Sequence, residues 1–86
     1  MNSKFFDLNI ISQTSTESIT IDWIDVQGVR SNFVIGPDHS PLVSIVANGS
    51  KLIYKKHGTN FIHEIIVSSG GIFRVENNIA TVLLDS

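Results

Sequence analysis

The chain has 86 residues, 42% of them hydrophobic, with a formal net charge of −2. Such a length supports one small domain spanning residues 1–86, with a modest core, because domains of this size bury only about 60–65% of their unfolded surface. No cysteine is present, which excludes disulfides and thiolate chemistry, while the apolar content argues against disorder and the mildly acidic balance against a phosphate-backbone partner.

The N-terminal stretch MNSKFFDLNIIS turns polar too soon for a signal peptide, and no apolar run reaches the ~20 residues that cross a membrane as a helix. FFDLNII alternates Phe6, Leu8 and Ile10 against Asp7 and Asn9, the period of a half-buried strand. ESITIDWIDVQG follows with Ile19, Ile21 and Trp23 on one face. Ile24 and Val26 then continue in the opposite parity, and such a slip predicts a β-bulge near Trp23 and Ile24. NFVI, LVSIV, KLIYKK, NFIHEIIVS, GIFRVE and IATVLLD read as further strands rich in β-branched and aromatic residues. Turn signals separate them at Asn48-Gly49, at His57 to Asn60, at Gly70-Gly71 and at Asn77-Asn78. Asn48-Gly49 favours a type I′ hairpin, whose two central residues need positive φ. No stretch sustains a 3.6-residue apolar period. The expected fold is all-β, a two-sheet antiparallel sandwich of about eight to ten short strands with little or no helix. Its predicted core comprises Leu8, Ile10, Ile21, Val26, Ile35, Leu52, Ile65, Val67, Val75 and Val82.

Chemistry-bearing patterns are sparse. The six glycines are scattered and form no phosphate-cradling loop. His57 and His63 can share a hairpin, but two histidines without a third ligand make a poor zinc site. Asp22 and Asp25 lie three apart in a strand, so regular alternation sends them to opposite faces. Asp38, His39 and Ser40 are adjacent in one loop and cannot align as base orienter, base and nucleophile. Trp23 reads as core or interface, and the run Lys51, Tyr54, Lys55, Lys56, His57 as a solvated face or edge protection. Catalytic, metal and cofactor sites are therefore expected to be absent. The segment SNFVIGPDHSPLV stands apart: Pro37 and Pro41 flank Asp38 and His39 between two strands, and proline lowers the entropy lost when a loop is held in one shape.

Three ordered segments, DVQGVRSNFVIGPDHSPLV, NGSKLIYKKHG and VSSGGIFRVENNIATVLLD, resemble the N-terminal β-sandwich domain of the F-type ATP synthase epsilon subunit, called delta in mitochondria. Gly28, Ile35, Pro37, His39, Pro41 and Leu42 match the family's loop; Gly70, Gly71, Val75, Thr81, Val82 and Leu83 match its final hairpin. The sequence departs from the family pattern at Val29 to Asn32, at Val34, and at Gly36 and Asp38. The family continues into a C-terminal helical pair that in some members binds ATP. This chain stops at LLDS, where those helices would begin, as expected of either a naturally short form or an excised domain; its start at Met1 slightly favours the former.

The resemblance implies a non-catalytic central-stalk subunit that joins the gamma subunit to the membrane c-ring during proton- or sodium-driven ATP synthesis. It implies no cofactor, no nucleic-acid partner and no direct membrane insertion. The implied location is peripheral, on the cytoplasmic side of a bacterial inner membrane. Residue by residue, Ser12, Pro37, His39, Pro41 and Ser44 would meet gamma, and Arg30, Ser31 and Asn32 would meet the c-ring. The alternative reading is a small β-barrel module for nucleic acid or another ligand. It lacks a basic surface, and five Phe, one Tyr and one Trp are few once a core has consumed its share.

Overall fold

In a computed structural model, residues 3–29 and 31–85 are described, and they form eight strands and no helix. β1 spans Phe6–Ile11, β2 Thr16–Gln27, β3 Asn32–Ile35, β4 Leu42–Val46, β5 Lys51–Lys56, β6 Ile62–Ile66, β7 Gly71–Glu76 and β8 Ile79–Leu84. One continuous hydrogen-bonded path runs β4-β7-β8-β1-β2-β5-β6, with β3 added on β2. The path curls at the 12-residue β2. The first half of that strand pairs with β1 and the second half with β3 and β5. The result is the expected β-sandwich. It is not a closed barrel, because β4 and β6, the two ends of the path, are not neighbours.

The fold differs from a purely antiparallel sandwich at one place. β1 pairs in parallel with β8, from Asp7↔Ile79 to Ile11↔Leu83. A parallel pair cannot be closed by a hairpin and needs a long connection; here all the intervening strands supply it.

The core follows the alternation. Leu8, Ile21, Ile24, Leu52, Phe73 and Val82 are fully buried. Each predicted core residue is buried except Ile65, which packs against the core from a partly exposed position. Phe33 and Phe73 meet edge-on across the two layers, 5.8 Å between ring centroids.

The expected slip in β2 is present, with the register against β5 shifting between Ile21 and Trp23. The extra residue is Asp22, so the parity changes one residue earlier than the apolar pattern indicates. Trp23 consequently leaves the face of Ile19 and Ile21 and lies half-exposed on the outside, opposite Lys55. Asp22 and Asp25 are corrected in the same way: the bulge breaks the period of two, and both are half-exposed.

The turns also divide differently from expectation. At Asn48-Gly49 only Gly49 has positive φ (93°), and Ser50 N–H donates to Ala47 O at 3.1 Å, the pattern of a type II turn. The type I′ hairpin is not needed there, because β4 pairs with β7 rather than β5 and the turn is a corner between layers. Asn77 (φ 52°) and Asn78 (φ 60°) instead close the β7–β8 hairpin with two positive φ values, at Glu76↔Ile79.

Candidate functional site

The loop that leaves β3 starts after the buried Ile35 and turns at Pro37-Asp38. Asp38 adopts a left-handed backbone, φ 61°, which aspartate tolerates better than most residues. Its N–H donates to Asn78 Oδ1 at 2.6 Å, and Asn78 Nδ2 donates back to Asp38 Oδ1 at 2.9 Å. The second carboxylate oxygen accepts from Ser3 N–H at 2.7 Å. These bonds, from Asn78 first and then from the Ser3 backbone, hold the Asp38 carboxyl below its ordinary range. His39, half-exposed, donates from Nδ1 to its neighbour's carbonyl, Ser40 O, at 2.6 Å. A carbonyl only accepts, so Nδ1 carries the proton and Nε2 is the ring atom left for other contacts. Asp38, His39, Pro41, Asn77 and Asn78 line a shallow polar depression of about 330 Å³.

An apolar row crosses the same sheet four rungs from the Asn77-Asn78 hairpin, toward the opposite end of β7 and β8. Register places Ile45, Ile72, Leu83 and Ile11 next to one another across β4, β7, β8 and β1. Ile45 is 85% exposed, Ile72 44% and Leu83 45%, and Ile11 is half-buried. With neighbouring strands about 4.8 Å apart, the row runs roughly 14 Å across the sheet. Val43, also exposed, extends it on the edge strand.

The second layer carries a cluster at the bulge. Asp22 accepts from Lys55 Nζ at 2.6 Å and from His57 Nδ1 at 2.7 Å, and Phe5 packs on the His57 ring at 4.4 Å. Lys55 first, then His57, holds the Asp22 carboxyl below its ordinary value. His63 does not join His57; it stacks on Tyr54 at 5.2 Å. Among the described residues no three His, Asp or Glu side chains are grouped to hold a metal. Asp38, His39 and Ser40 do not form a triad, because the histidine bonds the Ser40 carbonyl and the carboxylate bonds Asn78 and Ser3. Of the basic run, Lys51 pairs with Glu64 at 3.2 Å and Lys55 with Asp22.

Residues 6–86 match the family described as ATP synthase, Delta/Epsilon chain, beta-sandwich domain. This chain belongs to that family. Two solved structures share the fold. One is a chain of the Euglena gracilis mitochondrial ATP synthase in its OSCP/F1/c-ring assembly, with a TM-score of 0.86 at 15% identity, covering 100% of this chain and 54% of that one. The other belongs to the Tetrahymena thermophila mitochondrial ATP synthase central stalk and c-ring, with a TM-score of 0.78 at 12% identity, covering 99% and 66%. The chain thus spans between half and two thirds of the length of those relatives.

The delta/epsilon domain distributes its expected contact residues over three places. Pro37, His39 and Pro41 share the loop against the Asn77-Asn78 hairpin. Ser12 lies just beyond Ile11, at the β1 end of the apolar row, where its Oγ accepts from Ser15 N–H at 3.2 Å and shapes the β1–β2 turn. Ser44 does not join the outer row. It faces its β7 partner Phe73 on the inner side and lines a cleft of about 550 Å³ with Ser31, Phe33 and Ser50. Ser31 and Asn32 are exposed at the β2–β3 tip, and Arg30 lies outside the described residues. Two features escaped sequence reasoning. Asp38, a departure from the family pattern, is the most bonded residue of the loop. The apolar row is also new, since each member merely alternates within its own strand and only the register joins them.

Proposed function

We propose that this delta/epsilon domain is a non-catalytic element of an ATP synthase rotor stalk, coupling gamma to the c-ring so that ion-driven rotation reaches catalytic sites on other subunits. The observation that carries this reading is the exposed row Ile45–Ile72–Leu83–Ile11 on an ordered sheet. Contiguous exposed apolar residues on a small domain mark a protein interface. The row supports docking on gamma, with Ser12 as a polar contact next to its Ile11 end, His39 as a second one farther along the sheet, and Pro37 and Pro41 holding the loop. Ser44 would be reached from the β4 edge. Exposed Ser31 and Asn32, with Arg30 beside them in sequence, support a polar contact with the c-ring at the hairpin tip.

The two structural relatives come from ATP synthase stalk and c-ring assemblies, and they agree with this role at the level of the fold. The domain would sit peripheral to the membrane, on the side that carries the F1 head; in a bacterium that is the cytoplasmic side of the inner membrane. The delta/epsilon chains as a family are generally non-catalytic, which supports the non-catalytic part of this reading. Titration of purified gamma with the domain by calorimetry tests the reading. Saturable one-to-one binding is expected; no binding to gamma, alone or assembled with the c-ring, would overturn it.

A further inference from the structure

The proline loop is hydrogen-bonded to the rest of the molecule, among the described residues, through Asp38. Among the described residues, the hydrogen bonds from residues 36–41 to other elements all involve Asp38: its N–H to Asn78, and its carboxylate to Asn78 and Ser3. The one other bond in the loop, His39 to Ser40, is internal to it. Asn78 is itself fixed. It occupies the second left-handed position of the β7–β8 hairpin, and its carbonyl accepts from Asp7 N–H at 3.1 Å. It also donates to Ser3 Oγ at 3.2 Å, so the N-terminal segment closes the cluster. Residues 35 and 40 positions apart are thereby tied immediately before His39.

We propose that Asp38 is a positioning residue: with Asn78 and Ser3 it presets the shape of the Pro37–Pro41 loop, and so the direction in which His39 is presented to a partner. It touches no partner itself in this role. The physical logic is preorganisation. A loop already held in its bound shape loses less conformational freedom on docking. Pro37 and Pro41 restrict φ at two positions, but proline cannot tie a loop to its surroundings. The Asp38 carboxylate does, through charge-assisted bonds that are shorter and stronger than neutral ones. The partner is the protein surface of the proposed function, so the binding arm of the test rests on that reading; the free-protein arm does not.

Three variants separate the terms. Asp38→Gly keeps the left-handed backbone without strain and removes the carboxylate. Asn78→Gly is equally compatible with its φ and removes both side-chain bonds to Asp38 and the one to Ser3. Asp38→Asn keeps left-handed tolerance and an oxygen for Asn78 Nδ2, and so serves as the conservative rescue. In the free domain, nuclear magnetic resonance should show the His39 ring resonances moving in the same direction in both glycine variants. Loop amide exchange should rise by about ten-fold or more, as a local opening demands. Asp38→Asn should stay nearer the parent on both readouts. Gamma affinity should fall about three- to ten-fold in the glycine variants through the added ordering cost, and the double variant should add little, as expected for residues acting as one unit. Unchanged His39 resonances and loop exchange in Asp38→Gly would overturn the proposal. So would a loosened loop that binds gamma as tightly as the parent. If the parent itself fails to bind gamma, the stalk reading falls, and the free-domain resonances alone decide the positioning role.

Discussion

Gly71 and Leu83 approach so closely across the β7–β8 ladder that a Cβ at Gly71 would fall on the Leu83 carbonyl oxygen, well inside van der Waals contact. The obstacle is backbone, not the end of a flexible side chain, so it cannot swing aside. Gly71→Ala must therefore push β8 away from β7, one rung from the Ile72↔Leu83 pair of the apolar row. Overpacking of this kind costs about 1–3 kcal/mol. Urea denaturation of parent and variant should show that loss; an unchanged midpoint would mean that the two strands separate freely here.

Ser50 presents the opposite case. It is 1% exposed, and its Oγ has no hydrogen-bond partner among the described residues. Its backbone is satisfied, donating to Ala47 O and accepting from Val67 N–H. Ser50→Ala removes only a desolvated hydroxyl, and should stabilise the domain by about 1 kcal/mol. A lower melting temperature in the variant would show that the hydroxyl is satisfied in solution.

Asp22 gives the domain a pH-dependent clamp between the two parts of the second layer. Its carboxyl is depressed, by Lys55 first and then His57. A depressed carboxyl contributes stability that is fully present above its unfolded value of about 3.9 and is lost as pH falls through the lower folded value. Asp22→Asn should thus be less stable than the parent at neutral pH, with the gap closing as pH falls below about 4. A gap that persists unchanged in the acid range would mean that the bulge geometry, not the charge, is what Asp22 supplies.

His39 tests the loop as a contact. His39→Ala removes a half-exposed side chain whose one hydrogen bond runs to its own neighbour, so the fold should hold and the melting temperature should stay close to the parent's. A rim contact is worth up to ~1 kcal/mol and a desolvated central one ~2 or more, which corresponds to a loss of gamma affinity between a few-fold and roughly thirty-fold. Parent-like affinity would reduce the loop to a structural turn.

Much of the fold was legible in the sequence because alternation reports burial directly. The bulge could be read from the switch between Ile19 and Ile21 and then Ile24 and Val26. Its position was off by one, since apolar parity does not say which polar residue is the extra one, and Trp23 was assigned to the wrong face as a result. The parallel β1·β8 pair was not legible: strand pairing between the two ends of a chain leaves no local mark. The Asn48-Gly49 turn was misread because a dipeptide states what φ values it tolerates, not whether the flanking strands pair. The candidate site was legible only in its loop residues. The Asp38–Asn78 tie and the Ile45–Ile72–Leu83–Ile11 row both join residues far apart in sequence, and register alone brings them together.

The central claim is that the outer face of β4, β7, β8 and β1 docks on gamma. Ile45 is the direct probe, because it is 85% exposed and a change there leaves the core untouched. Calorimetric titration of gamma with Ile45→Asp, beside the parent, should show binding weakened at least ten-fold, as burial of a charge in an apolar interface requires, with an unchanged melting temperature for the free domain. Gamma binding equal to the parent's, with the variant folded, would contradict the claim and place the interface elsewhere on the domain.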